Sequence, residues 1–241
     1  LAARWLVAFV QARLNILIAG STGCGKTTLL TALAQKLPIA ERIILIEDTH
    51  EIRLPHPNQV LLESGGGFNT GIETQRLVRN CLRMAPSRIV IGEVRGKEAF
   101  DILSALNTGH SGSFATVHAN STREALTKLE QYVALAEANF PHPMIRQSIA
   151  RAIDIVVHSV KDPDGTRHVQ SIDEVIDAGK DFYTWKSKSE GLVYTGQPLS
   201  ERLVQKLKDL KIDLPLDDDP TDQPPSALPM QRHARRFLKS S

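Results

Sequence analysis

Short apolar runs with strand composition recur through the chain, at Leu14–Ala19, Arg42–Glu47, Val60–Leu62, Arg88–Val94, Ser113–Val117 and Ile153–Val160. Between them lie stretches whose apolar residues return every three or four positions, Thr27–Leu37, Glu73–Met84, Lys97–Leu106, Thr122–Ala138 and Met144–Ile153, which predicts amphipathic helices. Strand and helix alternate, so the expected fold is α/β, with a largely parallel sheet covered by helices on both faces. In such sheets ligands gather beyond the C-terminal ends of the strands, and the chemistry is expected just after them. The pattern weakens from Asp181, leaves one further helix at Ser200–Leu210, and ends in a Pro- and Asp-rich stretch, Pro215–Pro229. The expected organisation is a domain over residues 1–180 and a partly helical C-terminal extension over 181–241, disordered from 215. Arg232, Arg235, Arg236 and Lys239 near the end read as a solvated charged tail, with contact to acidic lipid as the alternative.

Composition narrows the class. The 241 residues, 41% hydrophobic and 23% charged, suffice for one substantial core. A formal charge of +2 and 5% aromatics give no reason to expect direct nucleic-acid binding or a strongly basic membrane surface. Two cysteines, Cys24 and Cys81, can build neither a four-thiolate zinc site nor a disulfide scaffold, and fit a reducing cytosol. The apolar run Trp5–Val10 is far shorter than the roughly 20 residues that span a bilayer, so no transmembrane segment is expected. The chain begins without Met and inside a helical pattern, and an upstream portion is expected to lie outside it.

The segment Gly20-Ser21-Thr22-Gly23-Cys24-Gly25-Lys26-Thr27 matches the phosphate-binding P-loop and sits where that motif must, after an apolar strand and at the start of a helix. Glycines let backbone amides wrap a phosphate, and the helix start presents unpaired N–H groups. Lys26 is expected to reach the β and γ oxygens and Thr27 to ligate Mg²⁺, with Thr28 completing the nucleotide-binding set; the thiol of Cys24 has no required part. ATP is expected over GTP, because no Asn-Lys-x-Asp guanine-reading motif follows.

Two later strands end in acids. Arg42–Asp48 delivers Glu47 and Asp48 and continues to Glu51, and Arg88–Arg95 delivers Glu93 to the same edge. Glu47 is a candidate general base, and Glu93 suits a magnesium-bound water or polarisation of the nucleophile; sequence does not divide those roles between them. His110 and His118 flank the strand at Ser113–Val117, where a histidine can donate to a γ-phosphate or hydrogen-bond to backbone. Their spacing does not fit zinc ligation. Arg76, Arg79 and Arg83 share one helical face opposite Leu77, Val78, Cys81 and Leu82, either as a solvated row or as contacts to a γ-phosphate or a neighbouring subunit.

Four blocks in fixed order, the P-loop, Ile46–Glu51, Ile89–Gly96 and Thr108–His118, resemble the signature of the type II/type IV secretion ATPase superfamily. Leu77-Val-Arg-Asn-Cys-Leu-Arg-Met84, Ile91-Gly-Glu-Val-Arg-Gly96 and Ala115-Thr-Val-His-Ala-Asn120 look most like the branch serving tight-adherence pili and conjugation. The resemblance covers about Leu6 to Asp177 and implies a RecA-like core in a cytoplasmic, hexameric Mg-ATP motor. Its expected partners are secretion or pilus assembly proteins at the bacterial inner membrane. It implies Glu47 as base, Glu93 as Walker B acid, His110 and His118 as histidine-box residues, and Arg79 and Arg83 as phosphate-facing. Relatives place a separate N-terminal domain before this point and read Arg-Pro-Asp-Arg where this chain has Ala85-Pro-Ser-Arg88. Two alternatives stay open: a nucleotide-gated ring scaffold with negligible turnover, and a RecA-like nucleic-acid translocase.

Overall fold

The computed structural model describes residues 2–64, 71–137, 139–176, 180–188, 191–194 and 199–212, of which 180–188 and 191–194 as backbone only. The elements run α1 (Ala2–Gln11), β1 (Ile16–Gly20), α2 (Lys26–Ala34), β2 (Ile43–Glu47), β3 (Gln59–Glu63) and α3 (Thr74–Cys81) with a 3-10 turn at Leu82–Met84. They continue β4 (Arg88–Ile91), α4 (Glu98–Asn107), β5 (Phe114–Val117), α5 (Thr122–Ala136), α6 (His142–Ala152), β6 (Ile155–Lys161), β7 (Arg167–Ile176), β8 (Lys180–Lys188), β9 (Gly191–Tyr194) and α7 (Glu201–Asp209). The expected α/β architecture holds. Strand order is β3-β2-β4-β5-β1-β6-β7-β8-β9, parallel from β3 to β6 and antiparallel beyond.

The central strands are predominantly apolar because both their faces are covered. Alternate side chains divide between two cores. Ile16, Ile18, Ile43, Leu45, Val90 and Phe114 meet α1, α2 and α7, while Leu17, Ala19, Ile44, Ile46, Ile89, Ile91 and Val117 meet α3 to α6. The apolar stripe expected on α3 is buried through Leu77, Val78 and Cys81, and burial pushes the Cys81 thiol up to about 11. Leu199, Leu203 and Leu207 bring α7 into the first core, so the C-terminal helix packs on the same sheet.

Element ends follow local chemistry. Helix α2 stops at Ala34, short of the expected Leu37, because Pro38 disfavours helical geometry in the residue before it. Strand β4 stops at Ile91, short of Val94, since the chain bends at Gly92, whose N–H still closes the ladder onto Ile46 O. Strands β7 to β9 escape the apolar-run reading because antiparallel strands mix polar and apolar positions. The Asp162–Thr166 turn between β6 and β7, with Gly165 at φ +91°, carried the Asp-Gly signal of a hairpin. The boundary expected at residue 180 falls where β7 pairs with β8. The expected disordered stretch from 215, with its basic residues, lies outside the described residues.

At the N-terminal edge of the parallel strands Arg88 is a buried hub. Its guanidinium pairs with Glu41 and donates to Val10 O (2.9 Å) and Gly112 O (3.1 Å), while Arg13 grips the same Glu41 at 2.6 Å. Ser87 accepts the Arg42 amide on Oγ at 3.0 Å.

Candidate active site

The C-terminal ends of four adjacent strands, β2, β4, β5 and β1, border one cleft of about 440 Å³. From β1 comes the phosphate loop. Gly23 (φ +73°) and Gly25 (φ +94°) hold the left-handed conformations that let successive amides converge into an anion-binding nest. Gly20 is required for another reason: a Cβ there would stand 2.4 Å from both Cys24 Sγ and Ser159 O. Lys26, the first residue of α2, is buried and donates from Nζ to Gly20 O (3.0 Å) and Ser21 O (2.9 Å). Burial pushes its ammonium below the usual lysine range. Thr22, Gly23, Lys26 and Thr27 line the cleft. Cys24 is buried beneath the loop, and Thr28 faces solvent outside the cleft lining.

Glu47 closes β2, almost wholly buried. Its Oε1 accepts the amides of Ile52 (3.0 Å) and Glu51 (3.2 Å), and its Oε2 lies 3.3 Å from His50 Nδ1. The loop after β2 thus curls around the carboxylate and fixes its orientation. Gly92 makes room for it, since a Cβ at that position would meet Glu47 Cγ at 3.1 Å. Glu93 follows at the end of β4. One oxygen, Oε2, is held by Arg95, whose Nε is at 2.6 Å. The other, Oε1, is buried and has no hydrogen-bond donor among the described residues; His118 Nε2 stands 2.7 Å away at ion-pair distance without hydrogen-bond alignment. Burial pushes the His118 imidazole below its usual value, against the pull of Glu93.

Two residues absent from the expected catalytic set belong to this cluster. Arg95 bridges Glu93 to Asp48 Oδ2 (2.8 Å), and Asp48 also accepts from Ser64 Oγ (3.0 Å) and Thr74 Oγ1 (3.2 Å). Glu98 at the start of α4 pins the bridge from behind by accepting the Arg95 and Gly96 amides at 2.6 and 2.8 Å. The signal for Arg95 was its spacing: in an extended segment, residues two apart share a side.

Three expected residues lie elsewhere. His110 sits before β5, at the opposite edge of the sheet from the cleft, with Nδ1 3.1 Å from Ala105 O. Its backbone reading, not the phosphate reading, matches this placement. Arg79 and Arg83 are exposed on α3 and the 3-10 turn, outside the cleft of their own chain, and Arg79 pairs with Asp101 of α4 at 2.8 Å.

Among the described residues no three His, Cys, Asp or Glu gather into a metal cage. A magnesium site of the nucleotide type needs none, because Mg²⁺ keeps several waters and takes its remaining ligands from one or two side chains and the phosphates. The Thr27 hydroxyl and the buried Glu93 Oε1, which among the described residues accepts no hydrogen bond, both line the cleft and fit that pattern.

The profile of the family described as "Type II/IV secretion system protein" matches residues 2–180. The chain belongs to this family. It is 42% identical over 175 residues to a putative conjugal transfer protein of Mycobacterium tuberculosis, covering 71% of this chain and 49% of that protein. Against the type IV secretion system protein VirB11 of Brucella suis, identity is 39% over 173 residues, 68% of this chain and 48% of the relative. The crystal structure of the Brucella suis VirB11 ATPase in complex with sulphate superposes with a TM-score of 0.65 at 38% identity, over 70% of this chain and 50% of that one. The pilus retraction motor PilT with bound ADP shares the fold, with a TM-score of 0.55 at 21% identity over 86% of this chain and 54% of its own. The chain spans about half the length of the curated relatives it matches. The four blocks quoted from the sequence all fall inside the family match, and three of them, from β1, β2 and β4, converge on the cleft with His118 of the fourth. No described helix is long and apolar enough to cross a membrane.

Proposed function

We propose that this chain is the Mg-ATP-hydrolysing part of a motor subunit that powers bacterial type IV secretion, conjugal transfer or pilus assembly. The observation that carries the reading is the convergence of a phosphate nest, a buried lysine and two oriented carboxylates on one cleft. Lys26 exchanges its bonds to Gly20 O and Ser21 O for the β and γ oxygens of ATP, and the loop amides hold the remaining phosphate charge. The Thr27 hydroxyl and the Glu93 carboxylate would hold Mg²⁺, which would offset charge on the phosphate oxygens. Glu47, steadied by two amides and His50, takes the proton of the attacking water, and His118 adjoins Glu93 where loss of the γ-phosphate is felt. Arg79 and Arg83, exposed outside the cleft of their own chain, act on a neighbouring copy in a homo-hexameric ring, the assembly that family resemblance favours. The working location is the cytoplasmic face of the inner membrane, against membrane-bound assembly proteins.

Phosphate release and ATP binding by the wild-type chain and Lys26→Ala test the reading. Turnover is expected to vanish in the variant and ATP affinity to fall at least tenfold, as for loss of about 1.4 kcal/mol or more of charge-assisted bonding. Equal turnover in both proteins would sink the motor reading. Tight ATP binding without phosphate release in the wild type would favour the ring-scaffold alternative.

A further inference from the structure

The antiparallel hairpin of β6 and β7 lies beside the phosphate loop, and none of the roles assigned so far uses it. It makes two side-chain bonds to the loop. Ser159 Oγ donates to Cys24 O at 2.8 Å and Arg167 Nε donates to Gly23 O at 2.7 Å. The hairpin approaches closely: Ser159 pairs with Gly20 across the sheet, a register shift between His158 and Ser159 sets its direction, and a Cβ on Gly25 would meet Arg167 Cδ at 3.4 Å.

These bonds complete a pattern around the loop. The carbonyls of Gly20 and Ser21 are held by Lys26, that of Gly23 by Arg167 and that of Cys24 by Ser159. A peptide plane cannot turn its carbonyl one way without turning its amide the other. Arg167 and Ser159 hold the Gly23 and Cys24 carbonyls from the hairpin side, which turns the following amides to the opposite side, with the Cys24 amide nitrogen 3.5 Å from Ser21 O. A free loop with two glycines at positive φ would have to order those planes on binding, at an entropic cost that grows with each residue fixed. Lys26 leaves its carbonyls when it engages phosphate, whereas Arg167 and Ser159 stand behind the loop and can stay.

We propose that Arg167 is a positioning residue of the nucleotide site: through its bond to Gly23 O, the β6–β7 hairpin keeps the phosphate loop in its anion-binding shape. The inference rests on the nucleotide-binding reading of the loop and adds a residue about 140 positions downstream that the loop motif does not contain. Arg167 acts on the loop peptide, not on the phosphates, so a neutral donor of similar reach should replace it.

The test is Mg-ADP affinity by calorimetry, with melting temperatures of the nucleotide-free proteins, for wild type, Arg167→Ala, Arg167→Gln and Arg167→Lys. Arg167→Ala should raise the Kd about five- to tenfold, in the range of one lost hydrogen bond to a carbonyl plus loop ordering. Its nucleotide-free melting temperature should stay close to wild type, because the bond is exposed. Arg167→Gln should recover most of the affinity. An unchanged Kd in Arg167→Ala overturns the proposal. So does recovery by Lys but not Gln, which would mean direct charge on the phosphates, and so does a Kd that weakens only in step with a lowered melting temperature. Absence of ADP binding by the wild type would instead refute the nucleotide reading itself, and this inference with it.

Discussion

Arg88→Met removes the hub beneath the sheet while keeping most of its volume. The side chain is 1% exposed and makes bonds to Glu41, Val10 O and Gly112 O. Methionine leaves Gly112 O without this donor, worth roughly 1–3 kcal/mol, leaves Val10 O with only the Arg13 amide at 3.2 Å, and breaks a buried ion pair, a loss of about 3–5 kcal/mol in comparable cases. These figures overlap, because they count the same guanidinium. Two effects soften the loss. Glu41 keeps Arg13 and partial solvent access, and burial already disfavours the charged arginine, which pushes its guanidinium below its usual value. A net loss of about 3 kcal/mol is expected, and at roughly 2–4 °C per kcal/mol for a chain of this size that lowers the melting temperature by about 6–12 °C. Thermal unfolding by circular dichroism measures it. Nucleotide affinity well below the melt should be unchanged, since the cleft lies at the other edge of the sheet. A melting temperature within about 2 °C of wild type would refute the hub, and weakened nucleotide binding in the folded variant would refute the separation of the two edges.

Two further outcomes are expected. Glu47→Gln and Glu93→Gln should each cut turnover by about 10²- to 10⁴-fold with nucleotide affinity largely kept, as for groups acting on water or its proton; equal loss of affinity in an equilibrium titration would mark either as structural. Glu174, wholly buried on β7, has its carboxyl pushed above its usual 4.5 by burial, which the Ser200 donors only partly offset. A raised folded value favours the protonated form, so this contribution to stability is complete below about 4.5 and declines as pH rises through the folded value. Relative to wild type, Glu174→Gln should therefore gain melting temperature from pH 4.5 to 7.5, and a pH-independent difference between the two proteins would contradict it.

The parallel half of the sheet was legible because strands covered on both faces read as unbroken apolar runs, and their ends carried Lys26, Glu47, Glu93 and His118 to one edge. His110 misled for the same reason. Two histidines bracket β5, and a four-residue strand at about 3.3 Å per residue puts its flanks on opposite edges of the sheet. Asp48 and Arg95 were hidden by degeneracy, since ordinary strand-end charges look alike until a partner is seen. Arg167 was hidden by distance: nothing local in Thr166-Arg167-His168 points to a loop 144 positions upstream. The antiparallel half was missed because its strands alternate too loosely for a run to show, although the Asp-Gly turn was there to find.

The tethering of the phosphate loop also bears on what counts as the site. Strand β1 is made before its sheet neighbours β5 and β6, and the two side chains that hold its loop from behind sit on β6 and β7. A growing chain that has completed Gly20–Thr27 therefore carries the motif without the receptor. Full anion affinity should emerge only after synthesis has passed Arg167, so nucleotide capture at full strength reports formation of the β6–β7 hairpin.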